Sequence, residues 1–502
     1  MKHIKNTSML WLLVVALLNF GCKKLVEVDP PLSSVTSEAV FADNITATSV
    51  ISGIYTQMLN QNDVDSRSII GISFFAGLSS DELAILPGQT DLNLQSYFKN
   101  QLSEDTRVSG FSSWGPLFGI ANAATYAIEG LNAQPTKDVQ SASNLTLPVK
   151  KQLLGEAKFI RAFCYFYLVN LYGDVPLILN SNFNEASKLP RSPKSDVYKQ
   201  IIIDLNESKE LLNVNFTGVD AITISSERVR PTRWAAAALL SRVYLYQGND
   251  FAKAESNATE IIQNTSLFGL TALDQSFLKN TKESIWQLQP VRSGWNTAWG
   301  RYFILTGSPT INFTSYPKPF FLNESLLNSF EPGDPRKLNW TGSIVNGGNI
   351  YYYPYKYKKG AEVDGSVNSY QSMTEYMTVL RISEQYLIRA EARLMQNNLV
   401  GAAADLNAVR IRARNGNNLV LPDISPNADL TKAIAHERQV ELFTEWGDRW
   451  LDLKRTGKVN EVMSTITPRK SGQDWKPHQS LYPIMMEDIL KNPLLIQNPG
   501  YQ

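Results

Sequence analysis

A chain of 502 residues with 48 basic and 47 acidic side chains has a net charge of +1, so no summed field draws it to nucleic acid or to an anionic membrane surface. Two cysteines, Cys22 and Cys164, leave no disulfide framework and no cysteine zinc site, and three histidines nearly exclude charge-relay and histidine-metal chemistry. The length allows a large core, and the apolar content of 43% is ordinary for a globular protein.

The positively charged start Met1-Lys2-His3-Ile4-Lys5 precedes the apolar run Met9 to Leu18, too short to span a bilayer as a helix but right for the middle of an export signal. Gly21-Cys22 then resembles a lipoprotein signal, in which the thiol is acylated and the cysteine becomes the new N-terminus; Asn19 stands where that signal usually has Leu. Residues 1–21 are therefore read as a signal peptide, and 22–34 as the lipidated cysteine and a tether stiffened by Pro30-Pro31. Alkyl chains on Cys22 bury about 0.8 kcal/mol per CH₂, enough to anchor without a spanning helix.

Residues 35–280 read as largely helical. Leu153, Ala157, Ile160, Cys164, Tyr167 and Leu171 recur at spacings of three and four, one face of a helix over 151–172 that Gly173 and Pro176 stop. Cys164 sits in that stripe as a small buried apolar residue. Pro231 to Asn264 reads as an alanine-rich helix, a Gly248-Asn249-Asp250 turn and a second helix, which resembles a tetratricopeptide unit. A second hairpin spans Ser383 to Arg414 around Gln396-Asn397-Asn398. Roughly 150 residues separate the two, so a tandem array is expected to need other repeats between them. In the C-terminal part, 281–502, helical periodicity fades between 285 and 377, with Glu283 to Gln289 and Asn349 to Tyr353 as short strands. The expected fold is mainly α, a scaffold of helix pairs carrying a loop-rich insert with short β strands.

Several segments resemble the SusD/RagB family. Gly155 to Leu177, a helix running into Tyr172-Gly173-Asp174-Val175-Pro176, looks like one signature, Glu437 to Gly457 like the C-terminal one, and Leu481-Tyr482-Pro483-Ile484 with Asn498-Pro499-Gly500-Tyr501 like the family's ending. Glu27 to Pro31 beside the lipid signal, Ser80-Asp81-Glu82-Leu83, the Arg233 to Ala254 hairpin and Leu380 to Ala392 match in order, so the resemblance covers nearly the whole chain. It implies four tetratricopeptide-like helix pairs, no catalysis and no cofactor, and lipid attachment through Cys22 at the outer membrane, facing the cell exterior. It also implies a SusC-like TonB-dependent transporter that the protein covers as a lid, and a nutrient ligand, an oligosaccharide or, as in RagB-like proteins, a peptide. Lys23-Lys24 departs from the acidic residues that often mark surface export in Bacteroidetes. The rivals are a glycoside hydrolase, which also combines carboxylates and aromatics, and a scaffold that binds only proteins.

Fifteen aromatics fall between Trp295 and Tyr357, more than twice the density of the chain, and aromatic faces stack on sugars or peptide side chains. Trp295, Trp299, Arg301, Tyr302 and Trp340 are the ligand candidates from this segment, with Asp81 from the Ser-Asp-Glu-Leu stretch. Tyr351 to Tyr357 is expected to alternate along a strand, half of its rings packing inward. Glu441, Glu445, Asp448 and Asp452 share helix faces with Arg438, Arg449 and Lys454, and read as ion pairs rather than a catalytic pair. His436 reads as a partly buried or capping residue, and Asp174 as fixing the turn after the helix.

Overall fold

The computed structural model describes residues 40–59, 69–105, 113–133, 144–291, 296–306, 319–359, 373–414 and 427–501. The expected lipid site Cys22 and the tether lie outside them, as does Trp295. Helix α1 (Asn44–Met58) starts on the Asp43 carboxylate, which accepts from the Ile45 and Thr46 amides. Helix α2 (Gly71–Ser79) is buried along its whole length, and strand β1 (Leu83–Ile85) and helix α3 (Leu92–Phe98) follow.

The scaffold proper begins with α4 (Trp114–Asn132) and α5 (Leu147–Tyr172). Pro148 at the start of α5 and Gly173 at φ +79° just beyond it set the limits of that helix. The Asp174 carboxylate accepts from the Lys194 amide at 2.8 Å, so the turn after α5 is tied to the first residue of α7 (Lys194–Leu211); the short α6 (Phe183–Ala186) lies between. Helices α8 (Arg233–Gln247) and α9 (Phe251–Gln263) form the alanine-rich hairpin. Gly248 takes the left-handed conformation at its turn, and Asp250 caps α9. Ala235 to Ala238 have no accessible surface, which is how the neighbouring helices come close.

The insert contains β2 (Ser284–Leu288), α10 (Ala298–Phe303), β3 (Phe320–Leu322), α11 (Glu324–Ser329), α12 (Pro335–Asn339), β4 (Thr341–Asn346), β5 (Asn349–Pro354) and β6 (Met377–Arg381). The scaffold resumes with α13 (Ile382–Met395), α14 (Leu399–Arg414) and α15 (Asn427–Glu441), and the chain continues through α16 (Asp448–Arg455), α17 (Val459–Ser471) and α18 (Met486–Lys491). None of the described helices is long and apolar enough to cross a membrane.

The helices stack in chain order: α4 on α5, α5 on α7, α7 on α8, α8 on α9, α9 on α13, and α13 on α14 and α15. The two hairpins expected to need repeats between them are thus direct neighbours. Antiparallel pairing of β2 with β6 sets Ser284 opposite Arg381 and closes the base of the insert, so the intervening chain loops out and returns beside its point of departure. The architecture is mainly α with three two-stranded sheets, β1–β3, β2–β6 and β4–β5, among the described residues.

One expectation about the insert is corrected. Tyr351, Tyr352 and Tyr353 do not alternate between buried and exposed; all three are half-buried. The β4–β5 ribbon has both faces partly covered, with Tyr351 and Tyr353 against Leu86, Leu305 and Phe321, and Tyr352 against the main core. Gly342 permits this, because a Cβ there would collide with the Tyr353 ring.

Candidate functional site

The scaffold meets the insert around a half-open cleft of about 450 Å³, within the roughly 300–1,000 Å³ of small-molecule sites. One wall is α1, through Ser52, Tyr55 and Thr56; a second is the loop before α8, through Thr217, Val219, Ser225, Glu227 and Arg230; the third is the end of β2 and its extension, Leu288 to Val291. Backbone bonds shape the loop: Gly218 donates to the Thr223 carbonyl at 2.8 Å and Ser225 to the Phe216 carbonyl at 2.9 Å. Asp220 accepts from the Ile222 and Thr223 amides across the tip.

Beneath the cleft lies a buried polar floor. The Tyr55 hydroxyl donates to Glu156 at 2.6 Å, and Arg230 donates to both oxygens of the same carboxylate at 3.0 and 2.8 Å. Burial, followed by the Glu156 charge, pushes the Tyr55 hydroxyl well above its ordinary pKa, so it stays a donor. Next to it the Arg228 guanidinium lies 4.6 and 5.4 Å from the Phe216 and Phe268 ring centres and donates to the Ser284 and Leu267 carbonyls at 2.7 Å each; burial lowers its pKa to about 10. This guanidinium binds loop, helix end and β2 into one rim.

Two polar atoms in the wall have no partner: Glu227 Oε2 and Thr217 Oγ1, both buried. Burial, followed by the nearby Glu227 charge, raises the pKa of the Tyr376 hydroxyl. Apolar surface from Leu59, Val219, Val229 and Pro290 lies beside these acceptors, a lining that can hold a molecule with both C–H faces and hydroxyl groups. Among the described lining residues Glu227 is the single carboxylate, and no nucleophile with a base stands there.

The residues singled out from sequence fall elsewhere, and most are buried. Trp340 has no accessible surface: its indole N–H donates to the Leu273 carbonyl at 3.0 Å, and its ring covers Lys356, Arg412 and Arg381 at 4.9, 5.6 and 5.9 Å. The expectation of a ligand platform there is corrected to a cover over buried cations. Trp299, 1% exposed, packs against Trp446 and Tyr357, and Tyr302 packs edge-on against Phe74. Asp81, 2% exposed, forms a two-pronged ion pair with Arg449 at 2.8 Å per bond. Burial alone would raise its carboxyl, but the Arg449 bond and charge outweigh it and hold the group below its usual value. These three side chains, expected to touch ligand, are thus placed in protein packing, since their partners already cover them. Arg301 is half-buried with its guanidinium 5.2 Å from the Tyr302 ring centre.

The carboxylates of the C-terminal signature form a buried clasp. Arg381 at the end of β6 donates to Glu441 at 2.6 Å and to Glu445 at 2.7 and 2.9 Å; Arg336 of α12 bridges Asp334, Glu437 and Glu441. Lys356 bonds Glu445 at 2.5 Å and the Glu441 and Phe443 carbonyls. Burial opposes the Glu441 charge, but Arg412, Arg381 and Arg336 together hold its carboxyl far below the usual range. Arg438 pairs with Asp448 and Asp452, Lys454 donates to the Asn170 carbonyl, and His436 meets the Ser329 carbonyl at 2.7 Å. Cys164 is fully buried, and burial raises its thiol pKa.

The cleft was not found from sequence. Thr217 and Glu227 lie in irregular segments without period or motif, and Gln289 ends the expected strand Glu283 to Gln289; only its position within the aromatic-rich insert hinted at a functional margin.

Comparison with known proteins agrees with this architecture. The SusD family model matches residues 335–501, and a family model described as starch-binding, associating with outer membrane, matches residues 91–245. SusD-like protein P2 of Formosa agariphila is 26% identical, with the alignment covering 100% of both chains. A SusD superfamily crystal structure from Bacteroides vulgatus superposes with a TM-score of 0.73 at 18% identity, over 92% of this chain and 99% of that one. A laminarin binding SusD-like protein superposes with a TM-score of 0.69 at 22% identity, over 91% of this chain and 99% of that one. With both family models matching, and with relatives aligned or superposed over more than nine-tenths of its length, this chain belongs to the SusD/RagB family.

Proposed function

We propose that the protein captures a nutrient glycan without transforming it, and hands it to a SusC-like TonB-dependent transporter of the outer membrane. In this reading Cys22 is acylated once residues 1–21 are removed, residues 22–34 tether the body to the lipid at the cell exterior, and the body acts as the lid of the transporter. The observation that carries the binding role is the cleft: apolar surface beside unpartnered acceptors, in a chain of this family. The similarity to a laminarin-binding relative supports a saccharide as cargo over a peptide. Glycoside hydrolysis uses two carboxylates flanking the bond, and the described lining residues supply one. Trp295, four positions after the cleft-lining Val291, is the aromatic we assign to stacking on the sugar.

The test is calorimetric titration of the purified mature chain with oligosaccharides and peptides, with product analysis of the same mixtures. Ser52→Leu places a branched side chain in the cleft from an exposed helical position, so it is expected to lower glycan affinity about tenfold or more while melting like the parent. Release of shorter sugars, or a glycan affinity indifferent to Ser52→Leu, refutes the reading.

A further inference from the structure

We infer that the cleft admits only saccharides without negative charge, neutral or amine-bearing, and rejects uronic and sulfated glycans. This rests on the reading of the cleft as the glycan site. Of its described lining residues two are charged, Arg230 and Glu227.

Arg230 has nothing left to offer an anion. Its Nη1 is bonded to Glu156, its Nε donates to the Gly218 carbonyl at 2.9 Å, and its Nη2 donates to the Val219 carbonyl at 3.1 Å and reaches Ser52 Oγ at 3.5 Å. The side chain is 5% exposed, and the Glu156 carboxylate neutralises it at 2.8 Å. A ligand carboxylate or sulfate would therefore find no free guanidinium N–H and no uncompensated positive charge among the described residues of this wall, only uncharged donors such as the Gln289 amide.

Glu227 is in the opposite condition. Its Oε2 is buried and unpartnered, and Thr217 Oγ1 stands in the same wall without a partner. The Lys279 ammonium lies over the Tyr376 ring, 5.8 Å from its centre, and is not among the lining residues. Buried acceptors without donors are costly, and a ligand hydroxyl or ammonium placed against them relieves that cost. An anionic ligand brings like charge to Glu227 instead.

Calorimetry at low and moderate salt compares neutral gluco-, manno-, xylo- and galacto-oligosaccharides, chitosan oligomers, oligogalacturonate and a sulfated galactan oligomer on the full mature chain and its Thr217→Val, Glu227→Gln and Ser52→Leu variants. The expected result is a neutral or amine-bearing binder, with acidic oligomers at least about tenfold weaker. Thr217→Val is expected to weaken the binder severalfold without lowering the melting temperature, since the hydroxyl it removes has no partner in the protein. Glu227→Gln narrows the gap between neutral and acidic ligands, and costs a chitosan oligomer more than a neutral one. An acidic oligomer that binds the parent tightly, and is lost in Ser52→Leu, overturns the charge selection while leaving the cleft as the site. A binder untouched by all three variants, or a panel with no binder, overturns the site assignment and the inference together.

Discussion

The helical row and the insert differ in how their buried charges are arranged: the row has separate pairs between helices, such as Arg161 with Asp204 and Arg242 with Glu384, whereas the insert is held by a cluster. In the row, small apolar side chains meet across helix faces: Ala235 to Ala238 are fully buried, and Gly155 fits against Leu211 and Leu212 with no room for a Cβ. Such contacts come from a repeating pattern and tolerate many sequences. The insert is instead fastened to α15 and the turn after it by a cluster of desolvated charges, with its Arg381, Arg336 and Lys356 facing Glu437, Glu441 and Glu445, joined by Arg412 of α14. A clasp of this kind contributes little net stability over an apolar core of the same shape, yet it accepts one geometry, because each charge left alone in the interior is severely penalised. The molecule thus joins a forgiving scaffold to a charge-registered insert, and the cleft lies where the two meet.

The sharpest way to break that contrast is Arg381→Ala. It leaves Glu441 and Glu445 short of a buried cation, and is expected to cost about 3–5 kcal/mol in denaturant unfolding. Hydrogen exchange should show the loss of protection concentrated at β2 and β6; equal loss throughout α5, α7 and α8 would mean that the two regions are not held separately. Next in size is Ala238→Leu in α8, where the side chain has no accessible surface and extra methylenes meet packed neighbours, for about 1–3 kcal/mol. A loss no greater than that of a surface change would show the row to be looser than its burial implies.

A third expected effect is a change of slope with pH. Burial first, and the neighbouring Asp81 second, raise the Glu82 pKa from 4.5 to about 8. The folded protein therefore keeps a proton that the unfolded chain releases, so this group makes stability fall as pH rises from about 4.5 to about 8. Glu82→Gln should flatten that fall and leave the acid end of the curve unchanged, as read from melting temperatures between pH 5 and 8. An unaltered pH profile would show that Glu82 is ionised in the fold, with Arg449 and Lys356 compensating it.

What the sequence by itself determined is local. The stripe in α5, the stop at Gly173, both hairpins with their turns, and the strands near 284–288 and 349–354 are readable because a helix or strand writes its period of 3.6 or 2 into neighbouring residues. The ordered signatures, read together, were enough for the family. Tertiary structure alone decided that α9 stacks on α13 across the insert, that Asp81 meets Arg449 368 residues away, and that Trp340 roofs a set of cations. It also decided that Thr217, Glu227 and Gln289 share a cleft. The partner of a buried charge and the opposite wall of a cavity depend on how the chain closes on itself, and no periodicity in the neighbouring residues records that closure.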